Sequence, residues 1–169
     1  ALIVCASTVA HRRLHSVARR QLQMGLRDRP YTAQQMYDLV ADVGSYPEFL
    51  PWTAAARIRS DEDRGDHRVM EADLVISFKV FRERFTSRVV LWPEQKKIDT
   101  EYLDGPFKYM KSNWHFEDNL DGCQVHFFVD FEFKNAILQK VIGVVFNEAM
   151  QRIVRAFEAR AEALYGSKG

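Results

Sequence analysis

The sequence predicts an α+β domain in which a curved antiparallel sheet of about seven strands wraps around one long C-terminal helix. Three observations carry this prediction. Apolar residues alternate with period two through successive runs from Ala54 to Phe133, each run ended by turn residues. One stretch, Ala136 to Tyr165, instead carries apolar residues at helical spacing and spans about 45 Å at roughly 1.5 Å per residue. The chain also holds twelve Phe against five Pro and eight Gly, an excess that suits either a very full core or an apolar ligand.

Taken in order, Gln21 to Arg29 reads as a first strand, with Leu22, Met24 and Leu26 alternating before Pro30 stops it. Thr32 is placed to cap a helix, with Gln35 at the reciprocal capping-box position. Met36, Tyr37, Leu39, Val40 and Ala41 give that helix its apolar stripe, and Gly44 ends it. Tyr46-Pro47-Glu48-Phe49-Leu50-Pro51-Trp52 follows as a turn or a second small helix. Ala54 to Arg59 is a short strand, and Asp61 to Asp66 a charged turn around Gly65. The next strand sets Met70, Ala72, Leu74, Ile76 and Phe78 against Glu71, Asp73, Val75, Ser77 and Lys79. Its successor sets Phe85, Ser87, Val89 and Leu91 against Arg84, Thr86, Arg88 and Val90. Ile98, Thr100 and Tyr102 share a face of the fifth strand, closed by Asp104-Gly105-Pro106.

The last two strands predict their own register. With a turn near Leu120 and Asp121, Trp114 opposes Phe127 and Phe116 opposes Val125 on one face. The other face then pairs Lys111 with Asp130 and His115 with His126, so apolar pairs lie inside and an opposite-charge pair outside. The final helix buries a stripe running from Ile137 and Leu138 to Phe157. Glu148 and Arg152 are spaced to pair on its solvent side, and Gly166 stands at its C-cap.

With 169 residues, 47% apolar and 28% charged, the chain fits one domain with a substantial core. It is neither disordered, collagen-like nor disulfide-stapled in composition. The longest apolar run, Val141 to Phe146, is far short of the ~20 residues a spanning helix needs. Lys plus Arg is 24 and Asp plus Glu 23, so direct DNA binding is not expected. The balance hides an asymmetry, since residues 1–29 hold Arg12, Arg13, Arg19, Arg20, Arg27 and Arg29 against the single acid Asp28. Residues 1–20 read as a basic arm, 21–165 as the domain and 166–169 as a tail. The arm suits either the remnant of a mitochondrial targeting sequence, consistent with an N-terminal Ala in place of Met, or a solvated basic extension. It is expected to be ordered by docking on a larger partner. Cys5 and Cys123 give no disulfide framework or metal spacing, which favours a reducing compartment.

No phosphate-binding glycine loop, nucleophile elbow or zinc-protease pattern is present. His115 and His126 are expected on a solvated face, and two His without a third ligand make a poor zinc site. Glu83 shares parity with Phe85 and Ser87. It reads either as a polar handle inside a cavity or as the wet end of its strand. No residue set is arranged for acid–base or nucleophilic catalysis, and no metal or catalytic cofactor is expected.

Three segments carry a family resemblance: Tyr46 to Trp52, Phe81-Arg82-Glu83-Arg84-Phe85-Thr86-Ser87-Arg88-Val89, and Gly105-Pro106-Phe107-Lys108-Tyr109 leading to Trp114 and Phe116. In these the chain resembles the mitochondrial coenzyme Q-binding START-domain proteins of the polyketide-cyclase-like superfamily, from about Gln21 to Tyr165. Tyr37 to Val43 also fits that family's first helix. Thr53 stands where a Cys is usual, and Val80 where a Gly is usual.

The resemblance implies a helix-grip (START/Bet v 1-like) fold and a hydrophobic tunnel for ubiquinone or a related polyprenyl lipid. It implies a lipid chaperone for respiration and coenzyme Q biosynthesis, peripheral to the mitochondrial inner membrane on its matrix side. The residues expected to hold the ligand are Phe49, Leu50, Trp52, Leu74, Ile76, Phe78, Phe85, Tyr102, Phe107, Trp114, Phe127, Phe131, Phe146, Met150 and Ile153. Phe49, Leu50, Trp52, Val80 and Phe81 are expected to touch the bilayer. Residues 1–29 would dock on a respiratory complex or the mitoribosome. Two alternatives stand beside this reading, a ribosome-associated START-domain protein and a cyclase-type enzyme of the same superfamily.

Overall fold

The structure, a computed structural model, describes residues 18–26 and 31–166. Residues 1–17 of the basic arm, the end of the expected first strand at 27–29, and 167–169 lie outside the described residues. Strand β1 is Ala18–Leu26, so it begins three residues inside the span assigned to the arm. Helix α1 is Ala33–Ala41, followed by a 3-10 helix at Val43–Glu48. The strands β2 (Thr53–Asp63), β3 (Arg68–Phe78), β4 (Phe81–Trp92), β5 (Lys97–Asp104), β6 (Phe107–Asn119) and β7 (Gly122–Phe133) come next, and α2, Ala136–Tyr165, closes the chain.

The strands form one antiparallel sheet in the order β1-β7-β6-β5-β4-β3-β2. Register shifts at Thr53/Ala55, Ile58/Ser60, Thr86/Ser87 and Phe107/Tyr109 bend it. Each extra residue kinks its strand and adds twist, which turns a flat ladder into a concave grip. The expected hairpin register holds at every pair: Trp114 faces Phe127, Phe116 faces Val125, Lys111 faces Asp130 and His115 faces His126.

Local chemistry fixes the helix ends. Thr32 Oγ1 accepts from the Gln35 amide at 3.1 Å, and Gln35 Oε1 accepts from the Thr32 amide at 2.9 Å. Asn135 caps α2 by accepting from the amides of Ile137 and Leu138. Gly166 ends it at φ 75, a conformation that disfavours a Cβ. Glu148 accepts from Arg152 at 2.9 Å on the outer face as expected.

The sheet departs from expectation at β2, which continues to Asp63 through residues read as a turn. Its charges suit an edge strand, where they discourage pairing with another chain. Asp61 accepts from Arg68 across the ladder, and the true turn is Arg64 to His67, with Gly65 at φ 91. The wide apolar stripe of α2 is also only partly buried, with Leu138, Phe146, Met150 and Phe157 inward and Ile137 70% exposed.

The main core joins α1 to the inner faces of β3–β7 and to the C-terminal half of α2, through Phe157 and Ala161. A second cluster of Phe127, Phe131, Phe146 and Met150 lies under the N-terminal half of α2. The convex face is not simply solvated. Asp73 is only 6% exposed, accepting from Thr86 Oγ1 at 2.6 Å and pairing with Arg59 at 3.0 Å. Asp130, expected to point outward, does so yet is buried, accepting from the Tyr109 hydroxyl at 3.2 Å.

Candidate functional site

Between the concave face and α2 lies a cavity of about 380 Å³. Strand parity builds its floor, because residues two apart on adjacent strands share a face. Leu74, Ile76 and Phe78 come from β3, Phe85 from β4, Phe107 and Trp114 from β6, and Phe127 and Phe131 from β7. Phe146, Met150 and Ile153 form the roof on α2, and Leu50 and Trp52 close one side. Aromatic contacts lock the walls. Phe107 stacks on Phe133 at 4.5 Å and meets Phe85 edge-on at 5.6 Å, while Trp114 lies 4.1 Å from Phe127.

Two expected ligand residues stand outside the lining. Phe49 turns inward beneath α2, its ring 5.4 Å from Phe157 and 6.0 Å from Tyr46, with the Arg160 guanidinium 5.1 Å above it. That packing also removes Phe49 from the expected bilayer-facing group, because the 3-10 helix before it aims the ring at the core. Tyr102 packs edge-on against Phe107 at 5.4 Å, and its buried hydroxyl makes no well-formed hydrogen bond among the described residues. Burial raises its pKa. Met110, Val129, Phe133, Ile142 and Ala149 also line the cavity, beyond the residues expected to hold the ligand. Strand parity and helical spacing put them on the same inward faces as their neighbours.

The cavity reaches the surface beside the β3–β4 turn. Phe78 and Phe81 line it, while Val80 between them is 91% exposed. In this two-residue turn the positive φ falls on Lys79, at 53°, so Val80 needs none of glycine's freedom. Trp52 is held at φ 62 beside this rim, its carbonyl accepting from the Ser77 amide at 2.8 Å and its ring 5.4 Å from Phe78. Gly105 brings the β5–β6 turn close to the same edge. A Cβ there would lie 2.8 Å from the Arg84 carbonyl oxygen. Glu83 lines the cavity yet is exposed, which places it at the wet end of β4. The other titratable lining residue, Tyr46, donates its hydroxyl to the Val40 carbonyl, and burial raises its pKa.

A second groove, about 480 Å³, runs outside the grip between α1 and β2. Asp38, Asp42, Asp61 and Arg68 line it, and it lacks the aromatic walls of the first. On the outer face, His115, Glu117 and His126 bring ligand atoms within 4.8 Å of one another. Glu117 supplies the third group that the sequence reading did not find, two residues from His115 on the same face. It already pairs with both rings, at 3.6 and 3.2 Å. Cys123 is buried, and desolvation pushes its thiol up to about 11.

Comparison with known proteins agrees with this architecture. A solution structure of an 18 kDa protein from Caulobacter crescentus superposes with a TM-score of 0.73 at 31% identity, covering 91% of this chain and all of that one. The Zhui aromatase/cyclase from Streptomyces shares the fold at a TM-score of 0.67, with 17% identity, over 86% of this chain and 93% of that one. The ribosome association toxin RatA of Rickettsia prowazekii is 40% identical over 136 residues, or 79% of this chain and 90% of the toxin. The mitochondrial coenzyme Q-binding protein COQ10 homolog B of Xenopus laevis is 33% identical over 141 residues, or 80% of this chain and 56% of that protein. The coenzyme Q-binding relative is therefore the more distant of these two. Residues 30–158 match a single family across most of the grip, and the chain belongs to that family, polyketide cyclase / dehydrase and lipid transport.

Proposed function

We propose that the protein holds ubiquinone or a related polyprenyl lipid in the cavity and carries it without transforming it. The observation that carries this reading is the cavity of about 380 Å³ walled by Phe and Trp, open beside an apolar turn. Ligand pockets run from roughly 300 to 1,000 Å³, so this one takes a ring and the start of a chain. A longer tail leaves through the rim at Trp52 and Phe81. Hydrocarbon is worth about 25 cal/mol per Å² when it leaves water, but almost nothing when it leaves a bilayer for a dry cavity. That near-balance suits a carrier that must release its load. Leu50, Trp52, Val80 and Phe81 then touch the bilayer during loading, since Trp favours the interface.

The similarity to a mitochondrial coenzyme Q-binding protein supports the ligand class; the matrix side of the mitochondrial inner membrane is the place of action proposed with it. Residues 1–29 would dock on a respiratory complex or the mitoribosome. The absence of a paired acid and base among the lining residues supports a carrier over a cyclase. A second reading, association with ribosomes, is favoured by the relatives named for it, including one 40% identical.

Organic extraction and mass spectrometry of protein purified without detergent test the first reading. Recovery of a quinone or polyprenyl lipid near one per chain is expected. Recovery of none, even after incubation with ubiquinone-containing liposomes, overturns it. Salt-sensitive co-sedimentation with ribosomes, expected of a basic docking arm, is the measurement that would favour the second reading.

A further inference from the structure

Three hydroxyls interrupt the apolar cavity on three adjacent strands. Ser87 on β4, Thr100 on β5 and Ser112 on β6 all line it. Thr100 faces Ser112 directly across the β5–β6 ladder. Ser87 faces Tyr102, one step diagonal from Thr100. Directly opposed residues hold their Cβ atoms about 5 Å apart and diagonal ones about 7–8 Å, so Thr100 stands between Ser112 and Ser87, which lie two strands apart and can be bridged by a ring that carries several oxygens.

Their surroundings are apolar. Val89 stands opposite Thr100, Ile98 and Trp114 lie deeper, and Phe85 and Met110 lie toward the rim. Ser87 is only 3% exposed, while Thr100 and Ser112 are half-buried, and all three border the cavity. None of the three side chains has a hydrogen-bond partner among the described residues. A hydroxyl turned into an apolar cavity without a protein partner costs free energy that Ala or Val at the same inward position would not. The remaining polar lining groups do not share this situation: Thr53 and Glu83 flank the rim, and the Tyr46 hydroxyl is engaged by Val40.

We infer that Ser87, Thr100 and Ser112 form a hydrogen-bonding subsite for the uncharged polar head of the ligand, which enters head first with its apolar chain trailing to the rim. This rests on the reading of the cavity as a lipid site and specifies the chemistry that site selects. The head must carry neutral acceptors, such as the carbonyl and methoxy oxygens of a quinone, because hydroxyls can donate to them. An ionised head is excluded, since among the described residues no Lys, Arg or His lines the cavity and Glu83 stands at its entrance. A bare carboxylate would be desolvated there without a counter-charge.

The test uses the full chain purified without detergent and three probes: decylubiquinone, squalene and palmitate. Ser87→Ala, Thr100→Val and Ser112→Ala are each expected to weaken decylubiquinone binding about 2- to 12-fold, the usual net effect of one neutral hydrogen bond. Squalene binding stays unchanged, and palmitate binds far more weakly than decylubiquinone. Infrared difference spectra give a second readout on the unmodified protein, because carbonyl bands of bound quinone shift to lower frequency when they accept hydrogen bonds. Unshifted carbonyl bands, or undiminished quinone affinity in all three variants, overturn the subsite. If neither decylubiquinone nor squalene binds the unmodified protein, the lipid reading itself falls.

Discussion

Replacing Ala149 by Leu distinguishes a cavity that is held open from a core that is packed. Ala149 lines the cavity from α2, between Phe146 and Met150. In a close-packed interior the added isopropyl group forces neighbours off their rotamers and costs about 1–3 kcal/mol. Against open apolar space of about 380 Å³ it meets no such obstacle. It instead buries roughly three carbons at about 0.8 kcal/mol each, an upper bound near 2 kcal/mol. Both residues are strong helix formers, so backbone propensity hardly enters. The two pictures therefore differ in sign. Urea unfolding followed by Trp fluorescence should show a gain of about 1–2 kcal/mol, which raises Tm by about 2–8 °C for a chain of this size. Decylubiquinone affinity should fall in the same variant, because the new side chain occupies its space. A loss of 1 kcal/mol or more, with affinity retained, would refute the cavity as ligand space.

Other substitutions probe particular contacts. Gly105→Ala combines a φ of +138° with a Cβ 2.7–2.8 Å from Phe85 and Arg84 backbone and Cβ atoms, so a loss of about 2–5 kcal/mol is expected by urea unfolding. Tyr102→Phe removes a buried hydroxyl that makes no well-formed hydrogen bond among the described residues, and stability should rise by about 1 kcal/mol, read as a higher Tm. Val80→Asp changes a side chain that is 91% exposed, so Tm should hold while co-flotation with liposomes declines. Cys123 keeps its proton up to about pH 11 when folded, whereas the unfolded thiol loses it nearer 9. The folded state then binds more protons across that window, so stability should fall as pH rises, by up to about 1.4 kcal/mol per pH unit. Cys123→Ala should remove that slope near pH 9.5, and alkylation mapped by mass spectrometry should reach Cys123 only on unfolding.

What could be read from the sequence was whatever repeats along a single element. Period two told the inner face of β6 from its outer face. The turn position then set Trp114 against Phe127 and His115 against His126. Helical spacing and Gly166 bounded α2 at Ala136 and Tyr165. What escaped depends on neighbours distant in the chain or on irregular backbone. Asp73 is buried on an outward face because Arg59 and Thr86, from the two flanking strands, converge on it. The direction of Phe49 is set by a 3-10 turn, which has no periodicity to extrapolate. Glu117 was legible by parity with His115 but falls outside any ligand-spacing motif. Tyr102 has the right parity for the cavity, yet the bulge at Thr86/Ser87 and the ring of Phe107 leave it outside the lining.

Alternation by itself cannot distinguish a filled interior from an enclosed space, since both want Phe and Trp facing inward. Energetics separates them once the volume is known. In a closed core each Å³ of void costs about 24 cal/mol, so about 380 Å³ left empty would forfeit about 9 kcal/mol. That equals the whole stability of an ordinary domain, about 5–15 kcal/mol. A chain whose second core cluster already contains Phe127, Phe131, Phe146 and Met150 could close much of that volume by larger residues at Ala149, Ser112 or Ser87. Small and hydroxylated side chains at those positions keep the space open, and the mouth beside Val80 lets water lower the cost while no ligand is bound. Occupancy should then stabilise the fold as RT ln(1 + [L]/Kd), so the bound lipid acts as a removable part of the core.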